Sequence, residues 1–342
     1  MNTIDRELEL LCSAPGCASQ GGVVEQAIKL LTPLVDEIEQ DALGNILAVR
    51  HAESSEAKTV LLEAHMDEIG FMVTSIDENG YLFVAPIGGV DKRTVATQPV
   101  VVYGKENCYN GVFCSVPPHL KKESYTLPEI TDTAIDVGMD KETAGIRIPL
   151  GSRVGFAPNY THLNGSVVSS KSLDNRCGMA AVLHCLRQLK SRRVRVAVSF
   201  SVQEELGCRG AAVAARKISP DYAVVTDVSF ALSHDADARK CGRMRKGAMI
   251  GFSPVLDKQM SEQFVLLARD QAIEYQLEIM AETTGTDADV ISVSGMGVRS
   301  ALLSIPLRYM HTPVESVDLS DVKAVGDLMA AWIEWKGALA DE

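Results

Sequence analysis

Four apolar runs in this chain end on side chains able to bind divalent cations. TVLLEAH (59–65) closes on His65, RVAVSFSVQEE (195–205) on Glu205, YAVVTD (222–227) on Asp227, and ALLSIPLRYMH (301–311) on His311. A further such group, Asp174, opens DNRCGMAAVLHCLRQLK, whose apolar spacing is helical. Short continuous apolar runs mark strands buried on both faces of a parallel sheet. Open α/β sheets place their ligand sites beyond the carboxyl ends of such strands. Two imidazoles and three carboxylates at that edge suit a pair of divalent ions, which makes metal-assisted hydrolysis the leading chemistry.

The frame around these runs is an α/β domain with an insertion. Strand-like and helix-like segments alternate over 1–69 and again over 164–342, which predicts a mostly parallel sheet flanked by helices. VVEQAIKLLTPLVDEIEQ reads as a helix, DALGNILAVR as a turn and strand, SEQFVLLARDQAIEYQLEIM as a helix, and VKAVGDLMAAWIEWKGAL as a final helix. Between them, residues 70–163 change texture. FMVTSIDENGYLFVAPIGGV reads as two strands about the turn Glu78-Asn79-Gly80, and TQPVVVYG, YNGVFCSVP and IRIPLGSRVGF continue the pattern. This stretch is expected to be a small inserted β-rich domain. Within it, LKKESYTLPEITDTA reads as an exposed loop or short helix.

Composition removes several function classes. The chain has 342 residues, 46% of them hydrophobic, enough for a large core and about two domains. Net charge is −12, and the one basic stretch, RKCGRMRKG (239–247), is short and lacks aromatics. It reads as a mobile surface loop, and nucleic acid is not expected as a partner. No run approaches the roughly 18 apolar residues of a membrane span, so no membrane partner is expected. The start, MNTIDRELELLC, lacks the apolar core of a secretion signal. Eight scattered cysteines without a C-x-x-C pair favour reduced thiols and a cytoplasmic setting, with Cys177 and Cys185 as small core residues.

Taken singly, each candidate ligand has an ordinary explanation. Asp174 could be a helix cap, Asp227 a turn former, and Glu204-Glu205 a solvated acidic turn. Their coincidence at successive strand ends is what carries weight. Residues two apart in an extended chain share a face, so Asp67 can lie beside His65 and accept its second ring N–H. Adjacent Glu204 and Glu205 repel, and a metal on one with a proton on the other relieves this, making Glu205 a ligand and Glu204 a general base. Asp174 suits a bridge between ions roughly 3.5–4 Å apart. No H-E-x-x-H, G-x-S-x-G or phosphate-loop pattern competes.

The segments AHMDEIGFMV (64–73), PPHL (117–120), SLDNRCG (172–178), VQEELGCRGA (202–211), VVTD (224–227), GTDAD (285–289) and IPLRYMHTPVE (305–315) together resemble the M42 family of metalloaminopeptidases. The resemblance implies two divalent metal ions (Zn, Co or Mn) per subunit. His65 and Asp227 would bind one, Glu205 and His311 the other, with Asp174 bridging. Glu204 matches the general base that activates a water between the metals, and Asp67 matches the partner of His65. It further implies short peptide substrates with a free N-terminus, and self-association from dimers to a tetrahedral dodecamer through the inserted domain. A deacylase or amidase on the same site is the main alternative. A glycoside hydrolase fits the metal-ligand set poorly, and a scaffold with a structural metal fits the intact Glu204 poorly. Excision of residues 70–163 is expected to leave monomers on a sizing column; an unchanged large species would contradict the role given to that segment.

Overall fold

The computed structural model describes residues 3–17, 21–120, 127–234 and 236–339. Its centre is an 11-stranded mixed sheet, beside which a second set of strands closes into a barrel. Strands Arg195–Ser201, Thr59–His65, Tyr222–Phe230 and Arg299–Arg308 lie side by side in that order and pair in parallel. Antiparallel strands flank them on both sides.

Helices on both faces explain the continuous apolar runs. Successive residues of one strand serve opposite cores. Val60, Leu62 and Ala64 pack with Trp332 and the helix Leu173–Gln188, while Leu61 packs with Ala211 and Ala215 of the helix Arg209–Ile218. Cys177 and Cys185 are both buried in the first of these cores. Register then sets Ser201 beside His65, Val225 beside Glu63, and Asp227 beside Ser304. Asp227 does not close its strand, because Tyr222–Phe230 and Arg299–Arg308 stay paired for three more residues beyond that level.

The barrel consists of Gly70–Ile76, Leu82–Ile87, Ile135–Asp136, Cys108–Phe113, Pro99–Tyr103 and Arg153–Phe156. It has its own core, centred on Phe71, whose ring meets Phe113 and Phe156 edge-on at 4.9 and 5.4 Å. Thr161–His162 pairs instead with Val167–Ser170 in the large sheet. Of the polar stretch read as a loop or short helix, residues 121–126 lie outside the described residues. Its neighbours form single 3₁₀ turns at Pro118–Leu120 and Ile130–Asp132.

Three local expectations change. The helix containing VVEQAIKLL stops at Leu31, two residues before Pro33, and Glu37–Gln40 is an edge strand. The helix Lys258–Asp270 ends where Ala272 takes a φ of 52°, and Tyr275–Ile279 is a strand paired in parallel with Ala248–Phe252. Helical periodicity did not reveal this strand because its own five residues are half-buried or exposed and only pairing with the buried strand Ala248–Phe252 holds it in the sheet. The basic stretch 239–247 is tethered. The Gln276 amide bonds the backbone of Arg243 in both directions, and Arg245 Nε donates to Asp318 at 2.7 Å.

Glu68 ties the barrel to the sheet at the point where the chain leaves strand Thr59–His65. Its buried carboxylate accepts from the Gly16 backbone N–H at 2.9 Å, from Lys171 Nζ at 2.6 Å, and from the Ser172 hydroxyl. Glu68→Gln strands a buried ammonium and is expected to cost about 3–5 kcal/mol. A denaturation midpoint equal to the parent's would refute this role.

Candidate active site

His65 ends the second of the parallel strands, and Asp227 stands level with it on the third. Asp174 arrives from the loop before a helix. The element Leu173–Gln188 has non-helical backbone at Asp174 and Asn175, so the regular helix begins after Asn175. The cap falls to Asn175, whose Oδ1 accepts from the Gly178 N–H at 3.1 Å while its Nδ2 donates to the Thr226 carbonyl. A Cβ at position 178 would lie 2.2 Å from that Oδ1, which accounts for the glycine. Asp174 is thereby released from capping, and its carboxylate turns inward.

The two oxygens of Asp174 face different imidazoles. Oδ1 lies 3.1 Å from His65 Nε2, and Oδ2 lies 3.5 Å from His311 Nε2. Asp227 Oδ1 is 3.6 Å from His65 Nε2, and Glu205 Oε1 is 3.5 Å from His311 Nε2. Two donor groups result, His65–Asp174–Asp227 and Asp174–Glu205–His311, each with its atoms within 4.8 Å of one another and with Asp174 common to both. Either group could hold a divalent ion.

Neighbouring groups orient these donors. His65 Nδ1 is 3.2 Å from the Asp67 carbonyl oxygen and 3.6 Å from its Oδ1. The same Asp67 carboxylate accepts from the backbone N–H groups of Glu204 at 3.0 Å and Glu205 at 3.4 Å. His311 Nδ1 bonds the Gly89 carbonyl at 3.0 Å, and a Cβ on Gly89 would come within 2.8 Å of that nitrogen. Sequence reasoning assigned no role to Glu315, Glu63 or Asp287. Glu315 accepts from the backbone N–H of both His311 and Asp174, joining the two ligand loops. The Ser201 hydroxyl lies 2.6 Å from Glu63 and 2.8 Å from Asp287. Burial and the neighbouring Asp287 push Glu63 well above its ordinary value, and burial raises Asp287, so the pair resists full ionisation. A lone Glu63 within an apolar strand was the available signal.

The electrostatics are those of an over-filled anionic site. Burial, with help from neighbouring carboxylates, pushes Glu204 up to about 9, Glu205 to about 7 and Asp227 to about 6. Burial also opposes charge on Asp174, yet His311 and His65 hold it below its ordinary value. Asp174 and Glu205 raise His311 to about 9. Burial would lower His65, but Asp174, Asp227 and Asp67 keep it well above its usual range. Four carboxyl groups converge on two imidazoles, and this donor chemistry fits a pair of divalent cations.

Residues 44–328 match the family model described as M42 glutamyl aminopeptidase. The chain belongs to that family. It is 34% identical to the lysyl aminopeptidase of Pyrococcus furiosus, covering 97% of each chain. Its structure is similar to that of an aminopeptidase from the archaeon Desulfurococcus kamchatkensis, with a TM-score of 0.91, 33% identity and coverage of 97% and 94%. A TET peptidase of Pyrococcus horikoshii, described as assembling into a tetrahedron or a large octahedral shell, superposes with a TM-score of 0.85 at 28% identity, covering 96% of this chain and 99% of its own. The chain is thus an aminopeptidase, in a family whose members depend on metal. No helix among the described residues is long and apolar enough to cross a membrane.

Cobalt or zinc added to chelator-treated aminopeptidase is expected to stabilise it by about 2.7 kcal/mol at a hundred times Kd. Thermal unfolding reads this as a rise in Tm that the double variant His65→Ala, His311→Ala loses. A Tm indifferent to metal would argue against the two donor groups as cation sites.

Proposed function

We propose that this aminopeptidase works with two divalent cations and uses Glu204 as general base to remove the N-terminal residue of short peptides. One observation carries the reading: the two oxygens of Asp174 face different imidazoles, each within its own donor group. His65 and Asp227 would hold one ion, Glu205 and His311 the other, with an Asp174 oxygen offered to each. Zinc, cobalt and manganese all suit these donors. When bound, such ions supply Lewis-acid polarisation of the scissile carbonyl and lower the pKa of water.

Glu204 carries the proton. Its Oε2 lies 3.9 Å from His65 Nε2, on the wall of a cavity of about 800 Å³ that contains the donor groups. It takes a proton from the attacking water as the water oxygen joins the carbonyl carbon. It returns that proton to the amine nitrogen as the C–N bond breaks. The products are a free amino acid and a peptide one residue shorter. Asp67 is a positioning residue: it pins the Glu204–Glu205 backbone and stands against His65 Nδ1, turning Nε2 toward the donors.

The chain self-associates in this reading. The 70–163 segment is the dimerisation domain, 1–69 plus 164–342 is the catalytic domain, and dimers build a dodecamer with enclosed sites. Support comes from the shells described for the Pyrococcus horikoshii relative and from the apolar side chains Leu120, Ile146 and Leu150, exposed at 74%, 69% and 64% in the inserted segment. The scattered cysteines favour the cytoplasm as its location.

Glu204→Gln is expected to lower kcat at least about 100-fold with metal content unchanged. The comparison uses aminoacyl chromogenic substrates and metal analysis of the same preparation. Retention of most activity by a fully loaded variant would remove Glu204 from the role of base.

A further inference from the structure

The donor groups share their cavity with a strand that lies beyond the metal ligands. Ser304 pairs with Asp227 in adjacent parallel strands, and Ser229 follows Asp227 by two residues. All three side chains therefore stand on one face of the sheet. Across that face, Glu278 from strand Tyr275–Ile279 reaches over. Its Oε2 accepts from the Ser304 hydroxyl at 2.6 Å, and its Oε1 accepts from the Ser229 hydroxyl. Gly251, its register partner, presents no side chain to obstruct that reach. Glu278, Ser229, Ser304, Asp227 and Glu204 all line the cavity.

Two features set Glu278 apart from the other cavity acids. Glu204 lies within reach of Cys208 and Asp287, and Asp174, Glu205 and Asp227 belong to the two donor groups, whereas Glu278 joins none of these clusters, so cations bound in the donor groups would leave its charge unmatched. Among the described residues its carboxylate is met by the two serine hydroxyls, and each oxygen retains capacity for a further donor. Burial holds its carboxyl above the ordinary range, a cost that an incoming cation would relieve. Arg239 and Lys240 also line the cavity but are exposed, and Arg239 is engaged by Asp237 at 2.8 Å.

We propose that Glu278, braced by Ser229 and Ser304, receives the side chain of the substrate's N-terminal residue and selects a cationic one, lysine or arginine. This rests on the aminopeptidase reading of the adjoining donor groups. A half-buried carboxylate built to pair with a substrate cation rejects a side chain that leaves it unpaired more strongly than an apolar wall rejects a wrong shape.

The test uses the metal-loaded, full-length protein and the p-nitroanilides of lysine, arginine, leucine and glutamate. Lysyl and arginyl substrates are expected to exceed leucyl and glutamyl ones at least about tenfold in kcat/KM. Glu278→Gln is expected to reduce the lysyl-to-leucyl ratio by a similar factor, chiefly through KM. Ser229→Ala with Ser304→Ala, which keeps the carboxylate but removes its braces, is expected to shift the same ratio in the same direction and covers a folding defect in the first variant. Faster cleavage of leucyl or glutamyl substrate by the parent would overturn the proposal, as would an unchanged ratio in both variants; the glutamyl result would point to Arg239 and Lys240 instead. Absence of cleavage with every substrate would overturn the aminopeptidase mechanism at this site, and this inference with it.

Discussion

The Asp174 carboxylate is the constraint around which this site is built. A carboxylate can serve two partners only if nothing else claims its oxygens, and at a helix start the backbone N–H groups ordinarily do. Here Asn175 takes the cap, Gly178 makes room for it, and Glu315 holds the Asp174 backbone. Asp174 is left to face His65 with one oxygen and His311 with the other. The end of strand Thr59–His65 and the turn that follows strand Arg299–Arg308 bring those two rings to either side of it.

Concentrating so many acids at one edge carries an electrostatic cost, and the protein distributes it. Asp67 and Glu315 use their oxygens on backbone N–H groups, while Glu63 and Asp287 share the Ser201 hydroxyl and burial raises both. Backbone strain gathers in the same loops: Ser172, Gln203, Cys208 and His311 all have φ near +60° without being glycine. Such conformations persist where surrounding contacts over-determine them. Strain and crowded charge together describe a site that bound cations would stabilise.

Division of labour follows the architecture. The parallel core supplies the chemical groups, the adjoining pair Ala248–Phe252 and Tyr275–Ile279 supplies a wall for the substrate side chain, and the barrel carries a separate core that needs nothing from either. Glu68, next to Asp67 in the link from the parallel core to the barrel, is held by Gly16 and Lys171. The link between barrel and site is therefore covalent and short, and the loop that orients His65 is anchored by a buried ion pair.

The residues His65, Asp67, Asp174, Glu204, Glu205, Asp227 and His311 were legible as a set, because strand ends and residue types are local properties and a parallel sheet aligns its strand ends. A β-rich insertion was legible as a change from long runs to short ones with frequent turns, but its closure into a barrel was not, because closure depends on pairing between strands distant in the chain. The strand Tyr275–Ile279 was not legible, since its residues are half-buried or exposed and only pairing across the sheet stabilises it. The two-handed reach of Asp174, the hold of Glu315 on Asp174 and the Ser229–Glu278–Ser304 contact all join residues far apart in the chain. Those are decided by packing and register, which composition and periodicity do not encode, so only the tertiary structure could reveal which oxygen faces which ring and which carboxylate remains free for the substrate.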